Sequence, residues 1–424
     1  MNNLEDLHLQ GEVLPLFDFT NNKFSKEALT DLFNNRPVSI EEIYNRQNIL
    51  KGFIENRKII NSFSYSIADF QEVYQFIRKF TTEVIKKNGQ VGLFLKYFLS
   101  SKKRERIELN FKRLVYLFNR LEVLYFSKIV TDIFPKEFNE KLAHLQSFLS
   151  SYKPGHYENM IRNDTFTIKH IVELNKHTSG KIETGQFAIF WENLFLVEAY
   201  ISIAKGIIKN NFTFANFSTH FEIVDFYHPL LKQPVKNSLA TNKNIVVLTG
   251  PNMSGKSTVL KAIGICVYLA HIGIGIPALS CNIPFFDSIS VAINLQDDLR
   301  SGYSHFTKEI KLLKDILVEA KSSKRCFAIF DELFRSTSVE DALQISIKTL
   351  NGIKQFNNSY FFISTHLHEL KEAIINENNC LFYYLDCEMN HNQPKFTYKL
   401  ITGWSDLKIG QILFKQEGLD DLLS

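Results

Sequence analysis

A chain of 424 residues, 45% hydrophobic and 22% charged, is long enough for two or three domains and too rich in core-forming residues to be disordered. Its five cysteines, at 266, 281, 326, 380 and 387, are odd in number and lack C-x-x-C spacing. That excludes a disulfide framework and a zinc ribbon, and it suits a reducing cytoplasm. The net charge of +4 is uneven: residues 1–240 carry 31 basic and 26 acidic side chains, residues 241–424 carry 18 and 19, so a polyanion surface is expected in the first half.

The opening stretch has Glu5 and Asp6 where a signal peptide is basic, and no apolar core follows. From there to about residue 240 the pattern is helical. Ser39 with Glu42 three positions on forms a capping box at the head of a helix expected to run from Glu41 to Asn61. Val73, Phe76, Ile77, Phe80 and Val84 repeat at helical spacing, as do Leu114, Leu117, Phe118 and Leu121. A second long helix is expected from Trp191 to Lys209. Between these, residues 86–113 carry nine basic side chains against Glu105 and Glu108, with Lys102, Lys103, Arg104 and Arg106 at the centre. Such a stretch suits phosphate contacts with DNA and equally suits a solvated helix face.

Near residue 220 the character changes. Short β-branched and aromatic runs at 245–248, 285–291, 326–330, 359–364, 381–386 and 396–400 alternate with helical patterns, which implies an α/β domain. The most apolar segment, Ala262 to Leu279, contains His271 and Pro277, so it reads as a core element and not a membrane span.

The run Gly250, Pro251, Asn252, Met253, Ser254, Gly255, Lys256, Ser257, Thr258 has the spacing G-x-x-x-x-G-K-S, between a strand and a helix. Glycines at both corners let successive main-chain N–H groups face phosphates, and the helix N-terminus adds partial positive charge there. Lys256 is expected to reach the terminal phosphates of ATP and Ser257 to ligate Mg²⁺. The apolar strand ending at Phe330 is followed by Asp331 and Glu332. Asp331 is the expected magnesium carboxylate, and Glu332 the group that polarises the attacking water. Another strand ends before His366, which is placed to meet the γ-phosphate; His368, two residues on, reads as scaffold.

Taken together these residues resemble the MutS family of mismatch-repair ATPases. The loop at 250–258 is close to that family's variant of the phosphate loop. Gln296 to Leu299 with Ser304 to Glu309 resembles its ABC-type signature, and 331–333 and 364–370 resemble its acidic and switch-histidine stretches. Tyr227 to Leu230, and Phe396 through Gly410, resemble segments flanking the ATPase core. The likeness is strong over about 220–418 and weak over 15–219.

The resemblance implies an all-α core or lever domain at 1–220 and an α/β ABC-type P-loop ATPase domain at 221–424, in a reduced form of the family. It implies that Ser304 completes the ATP site of a partner subunit. The active unit would then be a homodimer through the ATPase domains or a heterodimer with a MutS relative, bound to DNA and not to a membrane. The sequence departs from the family at Phe334 and Ser336, which flank Arg335 where glycines are usual, at His305, and at Val235, where an aromatic residue often faces adenine. Two alternatives remain at this point: an ATPase switch that captures protein partners without DNA, and a small-molecule or nucleoside kinase. The signature and the paired acids argue against the kinase.

Overall fold

In a computed structural model of the protein, the described residues are 4–86, 101–293, 305–334, 337–367, 369–374, 377–390, 393–407, 409, 412, 414 and 418–423. The chain forms two compact units that are not consecutive stretches. One comprises Phe17–Asn35 and Tyr44–Lys209, the other Met1–Leu16, Arg36–Ile43 and Asn210–Ser424.

The first unit is helical. Its helices are α1 (Lys23–Asn34), α2 (Ile40–Glu55, which begins in the other unit), α3 (Arg57–Ile60), α4 (Ile67–Lys86), α5 (Ser101–Asn119), α6 (Lys136–Ser151), α7 (Pro154–Arg162), α8 (Ile168–Glu183) and α9 (Gln186–Asn210). Asn22 caps α1, its side chain accepting from the amides of Phe24 and Ser25, both at 2.9 Å. The single helix expected over 41–61 is broken at Asn56. That side chain donates to the Gly52 carbonyl at 2.9 Å and exchanges hydrogen bonds with the main chain of Val130 at 3.0 and 3.2 Å. The capping box at Ser39 forms in altered shape: Ser39 Oγ accepts from Glu42 N, while Glu42 reaches back to Val38 N.

Helix α9 begins five residues earlier than expected. It is the one described helix long and apolar enough to cross a membrane, but 72% of its apolar window is buried within the protein. Hydrophobic residues around its whole circumference mark a core helix. Phe190 stacks on Phe148 at 4.3 Å, and Phe118, Tyr152, Phe187 and Trp191 complete an aromatic cluster.

The second unit holds a six-stranded sheet. Its strands are β4 (Ile245–Thr249), β6 (Ser288–Ala292), β7 (Cys326–Phe330), β8 (Tyr360–Ser364), β9 (Cys380–Asn390) and β10 (Gln393–Thr402), in the order β10-β9-β4-β8-β7-β6. All neighbours are parallel except β9 and β10. Strands β4, β6, β7 and β8 are buried at every position, which is why they read as unbroken apolar runs. Two helices, α11 (His305–Lys321) and α12 (Val339–Ile353), bury Leu313, Ile316, Leu350 and Ile353 with the sheet residues Val247, Ala328 and Phe361.

A second, four-stranded sheet escaped the sequence reading. It joins β1 (Asn216–Phe217), β5 (Ser280–Ile283), β2 (Phe221–Phe226) and β3 (Asn237–Thr241) in that spatial order. Phe221 on β2 packs against Phe362 and Phe327 of the large sheet, with ring centroids 5.1 and 6.0 Å apart. Helix α10 (Lys256–His271) follows β4.

Candidate active site

Three loops leave the carboxyl ends of adjacent parallel strands in the large sheet. Leu248 on β4 pairs with Ser364 on β8, and Phe330 on β7 pairs with Ile363. The segments starting at Gly250, Asp331 and Thr365 therefore emerge side by side, the usual position for a ligand on an open α/β sheet. Beyond the strands, Thr365 N donates to Leu248 O at 3.0 Å and Asp331 N to Ala292 O at 2.8 Å.

The first loop turns on two glycines in the left-handed half of conformational space, Gly250 at φ 133° and Gly255 at φ 96°. A Cβ at Gly250 would come within 3.3 Å of the Leu385 carbonyl, and one at Gly255 within 3.3 Å of the Tyr398 ring. A side chain at either position would be strained by its backbone angle and crowded by these neighbours. Gly255 caps α10, so the helix N-terminus opens onto the loop. Lys256 is 6% exposed and its Nζ donates to the carbonyls of Gly250 at 3.0 Å and Pro251 at 3.1 Å. Burial pushes its ammonium below the usual lysine range, while the charges of Glu332 and then Asp331 pull it back up. The lysine and both acids therefore share one electrostatic environment.

Asp331 and Glu332 are fastened from β8. Ser364 Oγ accepts from Glu332 N at 2.8 Å and donates to Asp331 Oδ1. Glu332 has a left-handed backbone, φ 57°, and its carboxylate pairs with His366 Nε2. A left-handed non-glycine residue costs on the order of 1–3 kcal/mol and persists where its surroundings impose it. Sequence reading singled out Asp331, Glu332 and His366; the role of Ser364 became visible only with β8 seated between β4 and β7.

Beside the loop lies a cleft of about 340 Å³, lined by residues that include His228, Leu231, Val235, Ser254, Thr258 and Tyr398. Tyr398 stands on a bulge where the β9–β10 register shifts, at φ 57°. Asn237, 6% exposed, holds that bulge with both ends of its amide: Nδ2 donates to Tyr398 O at 3.0 Å and Oδ1 accepts from Leu400 N at 2.9 Å. Val235 alone suggested a cleft wall without an aromatic ring; Tyr398 supplies one. Inside the same cleft, His228 Nδ1 and Ser254 Oγ are buried without hydrogen-bond partners.

Other expected site residues are distributed unevenly. The segment 296–304, including Ser304, lies outside the described residues, as do Arg335, Ser336, His368 and the side chain of Lys103. On α5, Lys102 and Arg106 are exposed and Arg104 is half-buried. Lys112 pairs with Glu108 at 2.7 Å, and Arg113 with Glu72 at 3.3 Å and Asp69 at 3.7 Å. No group of three or more His, Cys, Asp or Glu side chains suited to a metal occurs among the described residues.

In class, the chain is thus a mixed α/β unit with a glycine-cornered, lysine-bearing loop opposite paired acids, together with a helical unit. The sequence model for MutS domain V matches residues 246–419. A DNA mismatch repair protein MutS from Alkaliphilus metalliredigens is 30% identical over 234 residues, covering 53% of this chain and 26% of that protein. Those of Clostridioides difficile and Finegoldia magna are 25% and 27% identical, cover 98% and 88% of this chain, and are themselves covered to 45% and 47%. Residues 246–419 thus carry the match to the MutS family, and the chain spans less than half the length of these relatives.

Proposed function

We propose that the protein binds and hydrolyses ATP with Mg²⁺ as an ABC-type ATPase, in a DNA-binding dimer serving DNA repair or recombination. The observation that carries this reading is Lys256, buried at the mouth of α10 and within electrostatic reach of Asp331 and Glu332. The main-chain amides of 250–258 would cradle the phosphates, with Lys256 moving from its own loop carbonyls to the β- and γ-phosphate oxygens. The Ser257 hydroxyl and Asp331 carboxylate are hard oxygen donors of the kind magnesium prefers, and the ion would supply charge neutralisation between phosphates. Glu332 would orient and deprotonate the attacking water, with His366, its partner here, turning to the γ-phosphate.

The purine would lie in the cleft between Tyr398 and the aliphatic wall of Leu231 and Val235. Ser304 would complete the partner's site, in a homodimer or with a MutS relative, and the exposed Lys102 and Arg106, with Lys103 and Arg104, would meet DNA phosphates. One observation favours a second reading, a protein-capturing ATPase switch without DNA contact: Lys112 and Arg113 are already held by acids of the helical unit.

ATP turnover measured with matched, mismatched and branched DNA at two salt concentrations separates the two. DNA-dependent turnover that weakens steeply with salt supports the first reading. Turnover indifferent to every DNA, with no binding at low salt, supports the second, and no turnover under any condition removes both.

A further inference from the structure

Helix α11 carries an acid where an apolar residue would pack. Glu309 lies one turn into the helix, is 9% exposed, and has as neighbours in sequence the half-buried Phe306 and the buried Leu313 of the same hydrophobic cluster. Burying a carboxylate is costly without compensating hydrogen bonds. Glu309 Oε2 accepts from the main-chain N–H of Phe334 at 3.1 Å, in a buried contact. Phe334 is fully buried, and its ring meets Phe306 of α11 with centroids 6.1 Å apart.

Phe334 also has a left-handed backbone, φ 64°, two residues after Glu332 at φ 57°. Two such residues within three positions form a strained turn that its own sequence does not favour. Its amides are held by side chains from two other elements: Glu332 N by Ser364 at the end of β8, and Phe334 N by Glu309 on α11. The direction in which the Glu332 carboxylate points depends on both attachments.

We propose that Glu309 is a positioning residue for Glu332, and that displacement of α11 adjusts hydrolysis by loosening or tightening the 331–334 turn. This rests on the ATPase reading above and assigns it a control point within one chain. Glu309 touches neither phosphate nor water in this scheme, so it acts on the chemical step and leaves nucleotide binding alone.

The test compares Glu309→Ala and Glu309→Gln with the parent protein, using three measurements: steady-state ATP turnover, affinity for a fluorescent ADP, and amide hydrogen exchange of the peptide containing Phe334 without nucleotide. In Glu309→Ala, kcat should fall about tenfold or more, KM and ADP affinity should stay within about twofold, and Phe334 exchange should accelerate. Glu309→Gln keeps an acceptor oxygen and should recover most of both. Parent kcat in Glu309→Ala, or a kcat loss that Gln does not restore, overturns the proposal. So does a parallel loss of ADP affinity with protection lost throughout the sheet unit, which would make Glu309 a core residue only. Absence of turnover in the parent protein defeats the ATPase reading itself, whereas unaltered Phe334 exchange in Glu309→Ala defeats the attachment whether or not ATP is hydrolysed.

Discussion

The helical unit and the sheet unit each enclose a glutamate, under contrasting conditions. Glu198 on α9 is 1% exposed. It accepts from Asn21 N at 2.5 Å, Asn21 Nδ2 at 3.1 Å, Tyr65 Oη at 2.5 Å and Asn22 Nδ2 at 3.1 Å. Those donors gather the segment before α1 and the segment before α4 onto α9, and Ser202 one turn along accepts from Phe19 N and donates to Phe17 O, both at 2.6 Å. Glu332 keeps 21% of its side chain exposed, stands on a left-handed backbone and pairs with an imidazole. An acid saturated by donors from several segments holds a fold together; an acid held in strain at the mouth of a sheet retains a free-energy difference that chemistry can use. The contrast predicts that removing one should cost stability and removing the other should cost rate.

The largest effect should come from Glu332→Gln. This change keeps size and hydrogen-bonding capacity but removes the proposed base, so turnover should drop by about a hundredfold or more. ATP affinity and thermal stability should stay near those of the parent, and ATP should hold the variant as a dimer detectable by light scattering. Parent-rate hydrolysis in this variant would reassign the base. Lys256→Ala should act earlier in the cycle, weakening ATP binding itself, since the ammonium now held by the loop carbonyls is the one proposed to meet the terminal phosphates. The two variants together separate binding from chemistry.

Next in size is Glu198→Ala. It leaves the Tyr65 hydroxyl and both N–H groups of Asn21 without their acceptor inside the helical unit, while Asn22 Nδ2 keeps Ser25 Oγ and Tyr65 Oη. The expected loss is on the order of 3 kcal/mol, read as a lower denaturant midpoint for that unit. The ATP affinity of the surviving folded protein should be unchanged. Equal stability of variant and parent would mean the cluster is better solvated than its burial suggests.

This contrast was only partly legible in the sequence. Strands β4, β7 and β8 announced themselves because full burial demands unbroken apolar runs, and the loop at 250–258 because phosphate cradling dictates glycine spacing. Lys256, Asp331, Glu332 and His366 followed from their positions after those strands. The remainder is tertiary. No local pattern says that Asn56 will leave helical geometry to pair with Val130, or that Asp6 will accept from Ile293 N at 2.7 Å and bring the first residues into the sheet unit. The four-stranded sheet was missed because β1 and β5 are only two and four residues long, and because β2 and β3 lack an unbroken apolar run. Ser364, Asn237 and Glu309 matter through partners distant in sequence, at Asp331, Tyr398 and Phe334.

The smallest effect is one of pH, and it sets the two units against each other. His271 in α10 is fully buried; its Nδ1 lies 2.7 Å from Val267 O, and its Nε2 accepts from Phe286 N at 2.9 Å. Those partners suit the neutral ring with its proton on Nδ1, because an added proton would confront the Phe286 N–H. Burial therefore pushes its pKa down to about 3, although the Val267 carbonyl favours the charged form and Arg36 opposes it. The unfolded chain binds that proton near 6.5, so the stabilisation is complete above that value and drains away as pH falls from there through about 3. Glu198 runs the other way: burial raises its pKa above the usual carboxylate value, so its contribution is full below that value and is lost as pH rises through the folded one. Between pH 7 and 5 the sheet unit should lose on the order of 2 kcal/mol through His271 while the helical unit loses nothing through Glu198. Burial also lowers the pKa of the half-buried His144 and His177 in the helical unit, so amide exchange corrected for intrinsic rate should show protection falling further around 259–292 than around 187–207. Equal loss in both peptides would mean that the two units unfold as one, and the separate pH responses of Glu198 and His271 would be hidden within a single transition.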